Sequence, residues 1–448
     1  LISKLEQGDI GYYPLVIEYS KLNFFPTFLD FYESDKFVSF PFFPILIQSF
    51  LFKIFGSFSF VMSTFIFNTG LLIILFYFFY KIFKDNLKAF LAIVLILFSV
   101  FLFKKLSISF GYFYFDNLFS IFDGNFGIRY PRPLITSPVF FFGLYLLFDF
   151  NKKFCLDFNI NYALSLILVS GILLHTFFYY FIIFNFLILI LFLKNLEKKT
   201  FQILKIKKNL IKIFSLIFIF LFLYIFQQVN IEEDNLTRIG VIELEFDKKI
   251  LLLKYFLLSL LRIDFLPLIG LSIFFYIYSN KKFNQIDRYS LNVIFYFIIS
   301  SLLSIIIFII FSPKIVSMYH FIGIFIFSII FYNFINILIL LFKYFDFLGL
   351  RNFYKIKSIF FIFLITLIFN LYDIRHIHKT NFENYDEIKK INFFLKKNKF
   401  ENTEKTLFTY DQRIMNLWLL KKNKNLIISY GFANSLSNEI IENNLINS

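Results

Sequence analysis

Three blocks, Phe58 to Tyr80, Tyr162 to Leu193 and Val316 to Phe342, contain no Asp, Glu, Lys or Arg. A soluble helix would interleave its apolar positions with a polar face at helical period. An uncharged run of about 18 or more residues is long enough to span the hydrocarbon layer of a bilayer. These blocks therefore restrict the chain to a polytopic membrane protein built of helices. Further apolar runs extend the pattern to about ten spans, placed near 58–80, 89–103, 134–149, 160–174, 177–193, 211–228, 265–279, 291–311, 317–341 and 358–371.

Charge orders the loops between these spans. Segments 81–88, 150–159, 194–210, 280–289 and 342–357 together hold 18 Lys or Arg against 5 Asp or Glu. The positive-inside rule assigns this set to the cytoplasm. The intervening set, 1–57, 104–133, 229–264 and 312–316, is near-neutral or acidic and falls outside, together with the 372–448 tail. The block 162–193 is too long for one span, since 32 residues at helical rise overshoot a core of about 30 Å. A single span there would also move the Lys194–Lys208 cluster to the wrong side, so a hairpin turning near His175 is expected. No initiator Met precedes Leu1 and the chain stops within a helical pattern. A preceding span and a truncated C-terminal end are therefore expected.

Three regions follow: an outer first loop over 1–57, a transmembrane domain over 58–371 and a small extracytoplasmic domain over 372–448. The first loop is punctuated by Pro14, Pro26, Pro41 and Pro44. Its apolar stretches are short, as in helices lying on a membrane surface. The tail alternates helical and strand patterns, with strands over 406–410 and 425–429, which predicts a small α/β unit with parallel pairing. The fold class expected is thus an all-α polytopic bundle carrying a C-terminal α/β domain.

The sequence has no Walker loop, no GxGxxG after a strand, no HExxH and no CxxC, which argues against ATP-driven transport by this chain alone. The 77 Phe, with abundant Ile, Lys and Asn, follow AT-rich coding, so no aromatic stripe is assigned to nucleic acid. The single Cys155 forms no internal disulfide. His376 and His378, two residues apart, do not share a helical face, and no metal site is assigned.

Charged residues on the outer side remain. Asp9, in GDIGYY, is the first candidate for a general base on an acceptor hydroxyl, against a plain solvated loop acid. Asp116 and Asp123 could hold a divalent cation, or serve as caps and turn formers. Arg129 and Arg132, in the Pro-bounded turn GIRYPRP, suit bidentate contact with a phosphate, whether on a substrate or on a lipid headgroup. Lys314, in the tight SPKIV turn, has the same two readings. His175 and His320 fall near the outer ends of spans, where an ionisable residue suggests a binding site and a helix-to-helix hydrogen bond is the common alternative.

This order of parts resembles the GT-C class of integral-membrane glycosyltransferases, which use polyprenyl-phosphate-linked sugars. The points of similarity are GDIGYYP with FPFFPILIQSFLFKIFG, the GIRYPRPLITSP segment, SGILLHTFFYY from Ser170, and a basic residue in a late outer turn, Lys314 in SPKIVSMYHF. The resemblance implies that Asp9 is the catalytic base. It makes Arg129, Arg132 and Lys314 candidates for the polyprenyl phosphate, with Asp116, Asp123, His175 and His320 in the substrate site. It also implies a bacterial plasma-membrane location, membrane lipid and a polyprenyl-phosphate sugar as partners, and no nucleic acid. The paired-acid signature of the oligosaccharyltransferase branch is absent from the first loop. A transporter or flippase of a lipid-linked or small solute is the alternative, although 14 Gly and 9 Pro, mostly outside the spans, give few broken helices. A non-catalytic scaffold for envelope glycan assembly is the third reading.

Overall fold

The computed structural model describes residues 13–24, 42–110, 113–127, 130–156, 158–196, 203–229, 242–261, 265–282, 285–312, 314–315 and 318–347, with 390, 393, 407–408 and 426–427 in the tail. The helices are α1 (Tyr13–Ser20), α2 (Phe42–Phe55), α3 (Ser59–Phe83), α4 (Asn86–Phe110), α5 (Phe113–Phe126), α6 (Thr136–Leu147), α7 (Ile160–Thr176), α8 (Phe178–Leu196), α9 (Ile203–Val229), α10 (Phe246–Leu260), α11 (Leu266–Lys282), α12 (Gln285–Phe311) and α13 (Met318–Phe347). Among the described residues four stretches, Ser59–Phe83, Phe178–Asn195, Arg288–Phe311 and Met318–Tyr344, are long and apolar enough to cross a membrane. Five shorter apolar helical stretches accompany them. Large apolar side chains point outward from several helices, among them Phe65 on α3 (68% exposed) and Ile211 and Phe218 on α9 (83% and 68%). Lipid, and not water, is the solvent that suits such a surface.

Helix ends explain the sharp reversals. Lys84 closes α3 in the left-handed region (φ 55°), and its N–H reaches the Tyr80 carbonyl at 2.9 Å. Asp85 then caps α4, its Oδ1 accepting from the N–H groups of Leu87 (2.8 Å) and Lys88 (3.2 Å). Helix α4 runs on to Phe110, beyond the expected end near 103, because the Lys-Lys-Leu run from Lys104 favours helix. The 162–193 block is a hairpin. Helix α7 stops at Thr176, Phe177 is extended (φ −153°, ψ 92°) and α8 starts at Phe178. Asn185 on α8 lies back against Ser170 on α7, donating from Nδ2 to Ser170 Oγ at 2.8 Å.

Short strands are also present. Strand β1 (Ile242–Glu243) pairs antiparallel with β2 (Lys314–Ile315). In the tail, β3 (Leu407–Phe408) pairs in parallel with β4 (Leu426–Ile427). The rest of the tail, and the span expected at 358–371, lie outside the described residues.

One apolar core joins α3, α4, α6, α8, α12 and α13. Phe140 of α6 stacks on Tyr180 of α8 with ring centres 4.2 Å apart, and Phe141, Phe126, Phe327 and Phe331 interlock beside them. A second, smaller core joins Val16 and Tyr19 of α1, Ile45 of α2, Phe60 of α3 and the turn residues Tyr130, Leu134 and Ile135. The first loop is thus packed onto the Pro-rich turn. Helices α1 and α2, of 8 and 14 residues, are too short to cross a hydrocarbon core of about 30 Å.

The two sets of loops separate by position. At one end Lys81 binds Asp149 (2.7 Å), Lys153 binds Asp149 (3.2 Å), Lys88 pairs with Asp346, and the Asn151 N–H donates to Tyr289 Oη (3.1 Å). Burial pushes the Asp149 carboxyl pKa up, but the hydrogen bonds and charges of Lys81 and Lys153 outweigh it, and the net shift is downward. At the other end Ser120 meets Tyr319, Lys249 Nζ donates to the Ser312 carbonyl (2.7 Å), and β1 meets β2. Contacts therefore gather the basic loops at one end of the bundle and outer-set segments at the other.

Gly143 of α6 tests the close packing. A Cβ there would lie 2.7 Å from the Phe184 ring and 2.9 Å from a Val169 methyl, whereas one on Gly70 of α3 would meet nothing within 4 Å. Gly143→Ala is expected to lower stability by about 1–3 kcal/mol, with Gly70→Ala neutral or slightly stabilising. Thermal unfolding of both variants in detergent checks the contrast.

Candidate functional site

At the end opposite the basic loops, α5, the α7–α8 break, and the starts of α11 and α13 enclose a cavity of about 440 Å³. Its walls are apolar: Leu118 and Ile121 from α5, Phe265 and Leu268 at the start of α11, and Ile322, Ile326 and Ile330 from α13. The wall along α13 runs from Tyr319 to Ile330, which at helical rise is about 16 Å of depth.

The polar groups are few, with Asn125 and Tyr180 buried and Ser120 and Tyr319 exposed. Tyr180 donates its hydroxyl to Asn125 Oδ1, and Asn125 Nδ2 donates to the Ile121 carbonyl at 2.7 Å. Ser120 Oγ lies 3.1 Å from Tyr319 Oη. His320, one residue on, packs its ring against Phe177 (5.3 Å) and Tyr179 (4.9 Å).

Arg132 approaches the same aromatic group. Its guanidinium carbon sits 4.7 Å from the Phe177 ring centre. Phe177 thus contacts both Arg132 and His320, and itself lines the cavity. The turn that carries Arg132 has cis peptide bonds at Tyr130–Pro131 and Arg132–Pro133. It is anchored through Tyr130, Leu134 and Ile135 in the smaller core. Arg132 is not among the residues that line the cavity and meets its wall through the Phe177 ring. A deep apolar slot of this kind suits a largely apolar molecule.

The other sequence candidates are placed separately. His175 is buried, and its Nε2 lies 3.1 Å from the Phe220 carbonyl of α9. A carbonyl only accepts, so Nε2 carries the proton in this contact. Gly171, one turn earlier on α7, leaves room for the Phe220 ring, whose atoms lie as close as 2.3 Å to where a Cβ would stand. His175 thus ties α7 to α9 and also touches the Phe42 ring of α2.

Asp123 lies on α5 beside the cavity-lining Gly124. Its own backbone carbonyl accepts from the Gly127 N–H (2.8 Å), and its Oδ1 sits 2.5 Å from where a Gly127 Cβ would be. That is the local geometry of a helix end. Asp116 belongs to the same helix, seven residues earlier. Lys314 is in β2, in register with Glu243. Asp9 and Arg129 lie outside the described residues. Among the described residues no group of three or more His, Cys, Asp or Glu is arranged to hold a metal.

Sequence reading passed over Ser120, Asn125, Phe177, Tyr179 and Tyr180. Asn125 is one of two amides on α5, with Asn117, and Phe177 lies two residues after the expected turn at His175. Comparison with known proteins gives no match to any family model, curated protein or solved structure.

The Arg132–Phe177 contact generates a measurable coupling. A double-mutant cycle with Arg132→Gln and Phe177→Leu is expected to give about 0.5–2 kcal/mol of interaction energy in thermal unfolding. Additive effects of the two substitutions would show that the cation and the ring do not interact.

Proposed function

We propose that this chain is a GT-C-type membrane glycosyltransferase that takes its sugar from a polyprenyl-phosphate donor on the extracytoplasmic side. The observation that carries this reading is the apolar cavity beside the Arg132–Phe177–His320 cluster. An isoprenoid phosphate has the same division, a long apolar tail and one anionic head. In this reading the tail lies along α13 and the phosphate meets Arg132, joined by Arg129 and Lys314.

The reaction is displacement at the anomeric carbon. The acceptor oxygen forms the new bond, the bond to the phosphate oxygen breaks, and the phosphate leaves with the electron pair. Asp9 takes the acceptor proton as general base, and the guanidinium groups stabilise the departing charge. Asp9 precedes α1 by four residues, and α1 packs against the Arg132-bearing turn through Tyr19 and Tyr130. Asp116 and Asp123 supply carboxylates on α5 for a divalent cation, if the reaction uses one.

The topology proposed with it has about ten spans. The basic loops lie in the cytoplasm and the tail outside as a small α/β domain, in a bacterial plasma membrane. Support comes from the gathering of the basic loops at one end, from helices among the described residues at nine of the ten expected spans, four of them long and apolar enough to cross, and from the parallel β3–β4 pair.

The test is turnover of polyprenyl-phosphate sugars by the full-length protein in nanodiscs, read as release of polyprenyl phosphate. Asp9→Asn is expected to lower the rate by about 10²–10⁴-fold, and Arg132→Gln to weaken donor binding by about tenfold or more. Turnover that survives Asp9→Asn would keep the class and move the base to Asp116 or Asp123. Neither binding nor turnover across several donor sugars would overturn the reading.

A further inference from the structure

Helix α11 is too short to cross the bilayer by itself. Its 17 residues rise about 25 Å, against a hydrocarbon core of about 30 Å. It also begins well below the outer end of the bundle. Asn333, fifteen residues into α13, donates from Nδ2 to the Leu268 carbonyl at 3.0 Å. That contact places the first turn of α11 about 22 Å along α13 from Met318. The outer part of the path is left to another element.

Helix α10 supplies it, and three contacts fix the course. At its start Lys249 Nζ donates to the carbonyl of Ser312, the residue after α12 ends, so this turn sits level with the outer end of the bundle. Two turns later the Phe256 ring lies 6.3 Å from that of Phe325. Phe325 is about 10 Å along α13 from Met318, and the axis of α10 covers the same ~10 Å between Lys249 and Phe256. The chain then reaches Leu268 at the level of Asn333. Helix α10 therefore runs down beside α12 and α13 and does not lie across their ends. With its 15 residues, it and α11 are together about as long as α13, of 30 residues. Its composition fits that course. After Lys249 its one charge is Lys254, about 8 Å further along, whose stem can carry the ammonium back toward the headgroups. Ile250, Leu257 and Leu261 are 50%, 43% and 64% exposed, and they share a stripe within about 40° around the helix.

We propose that α10 and α11 form one discontinuous membrane span, in which the outward face of α10 bears on lipid acyl chains and the break between the two helices forms the floor of the outer cavity. Phe265 and Leu268, at the start of α11, line that cavity, and Ile330, three residues before Asn333, is its deepest lining residue on α13. Backbone that leaves a helix at membrane depth is tolerated where protein covers it or where it borders a cavity. Breaks of this kind accompany ligand sites within a bilayer. The floor of the cavity then lies within the hydrocarbon, and the two-piece helix is its wall on the lipid side. The number of spans is unchanged, since the one expected at 265–279 extends to 246–282. The inference does not rest on the transferase reading.

Spin labelling of the full-length protein in phosphatidylcholine nanodiscs tests this. In a Cys155→Ser background the single substitutions are Lys248→Cys, Ile250→Cys, Leu257→Cys and Leu261→Cys, all at exposed positions. Each label's collisions with oxygen, which concentrates in hydrocarbon, are compared with those of a water-soluble nickel chelate. Expected is a label at 248 that is open to nickel. The oxygen-to-nickel ratio is expected to rise from 250 through 257 to 261, over roughly 16 Å of helix. Equal shallow depths at 250, 257 and 261 are the signature of a helix lying on the membrane surface. That result, nickel access at all four positions, or shielding of 257 and 261 from both reagents would each overturn the proposal.

Discussion

Inside hydrocarbon there is no water to satisfy a backbone amide, so a chain that enters it must pair its peptide groups within each segment. That constraint governs this protein more than any single contact. It turns the apolar blocks into helices, and it confines irregular backbone to places where other groups cover it. The extended residue Phe177 illustrates this: its N–H bonds back to the Leu173 carbonyl, while its own carbonyl accepts from the Tyr180 N–H. The break that separates α7 from α8 is thereby tolerated, and it is also the point where Arg132 and His320 meet an aromatic ring.

With lipid outside and apolar side chains inside, burial alone discriminates poorly between helix packings. Shape and a small number of polar contacts supply the specificity. Gly143 and Gly171 let neighbouring helices approach closely. Ser170 with Asn185, and Ser272 with Asn333, tie helix pairs through side-chain hydrogen bonds. The charged ties Lys81–Asp149 and Lys88–Asp346 sit at the basic end, where water and headgroups lower the cost of holding ions. The same division leaves two cavities of different character, an apolar one at the outer end and a cation-lined one at the basic end.

Much of this architecture was legible in the sequence because hydropathy and charge report directly on solvent. The 162–193 block read as a hairpin because two spans fit its length and the flanking Lys cluster fixed the side. The break falls at Phe177, two residues from the expected turn at His175. Helix ends were less legible: α4 continues past Lys104 and Lys105 to Phe110, since lysine is a good helix former and its charge does not by itself end a helix. The site was legible in part. Arg132 and His320 stood out as charges near lipid, but their common neighbour Phe177 is one of 77 Phe, and nothing in its type marks it. His175 attracted notice for the same reason as His320. Its i, i+4 relation to Gly171 gives it a contact with α9, which a one-dimensional pattern does not reveal. Asn125 and Tyr180 form their bond across 55 residues of chain, a pairing that exists only once α5 and α8 are packed.

The central claim is that the basic loops and the Arg132 end lie on opposite sides of one membrane. Cysteine accessibility tests it most directly. In a Cys155→Ser background, Lys153→Cys and Lys248→Cys place single thiols at exposed positions on the two ends. In intact cells a membrane-impermeant thiol reagent is expected to label the cysteine at 248 and to reach the one at 153 only after permeabilisation. Labelling of both from the same side would contradict the account.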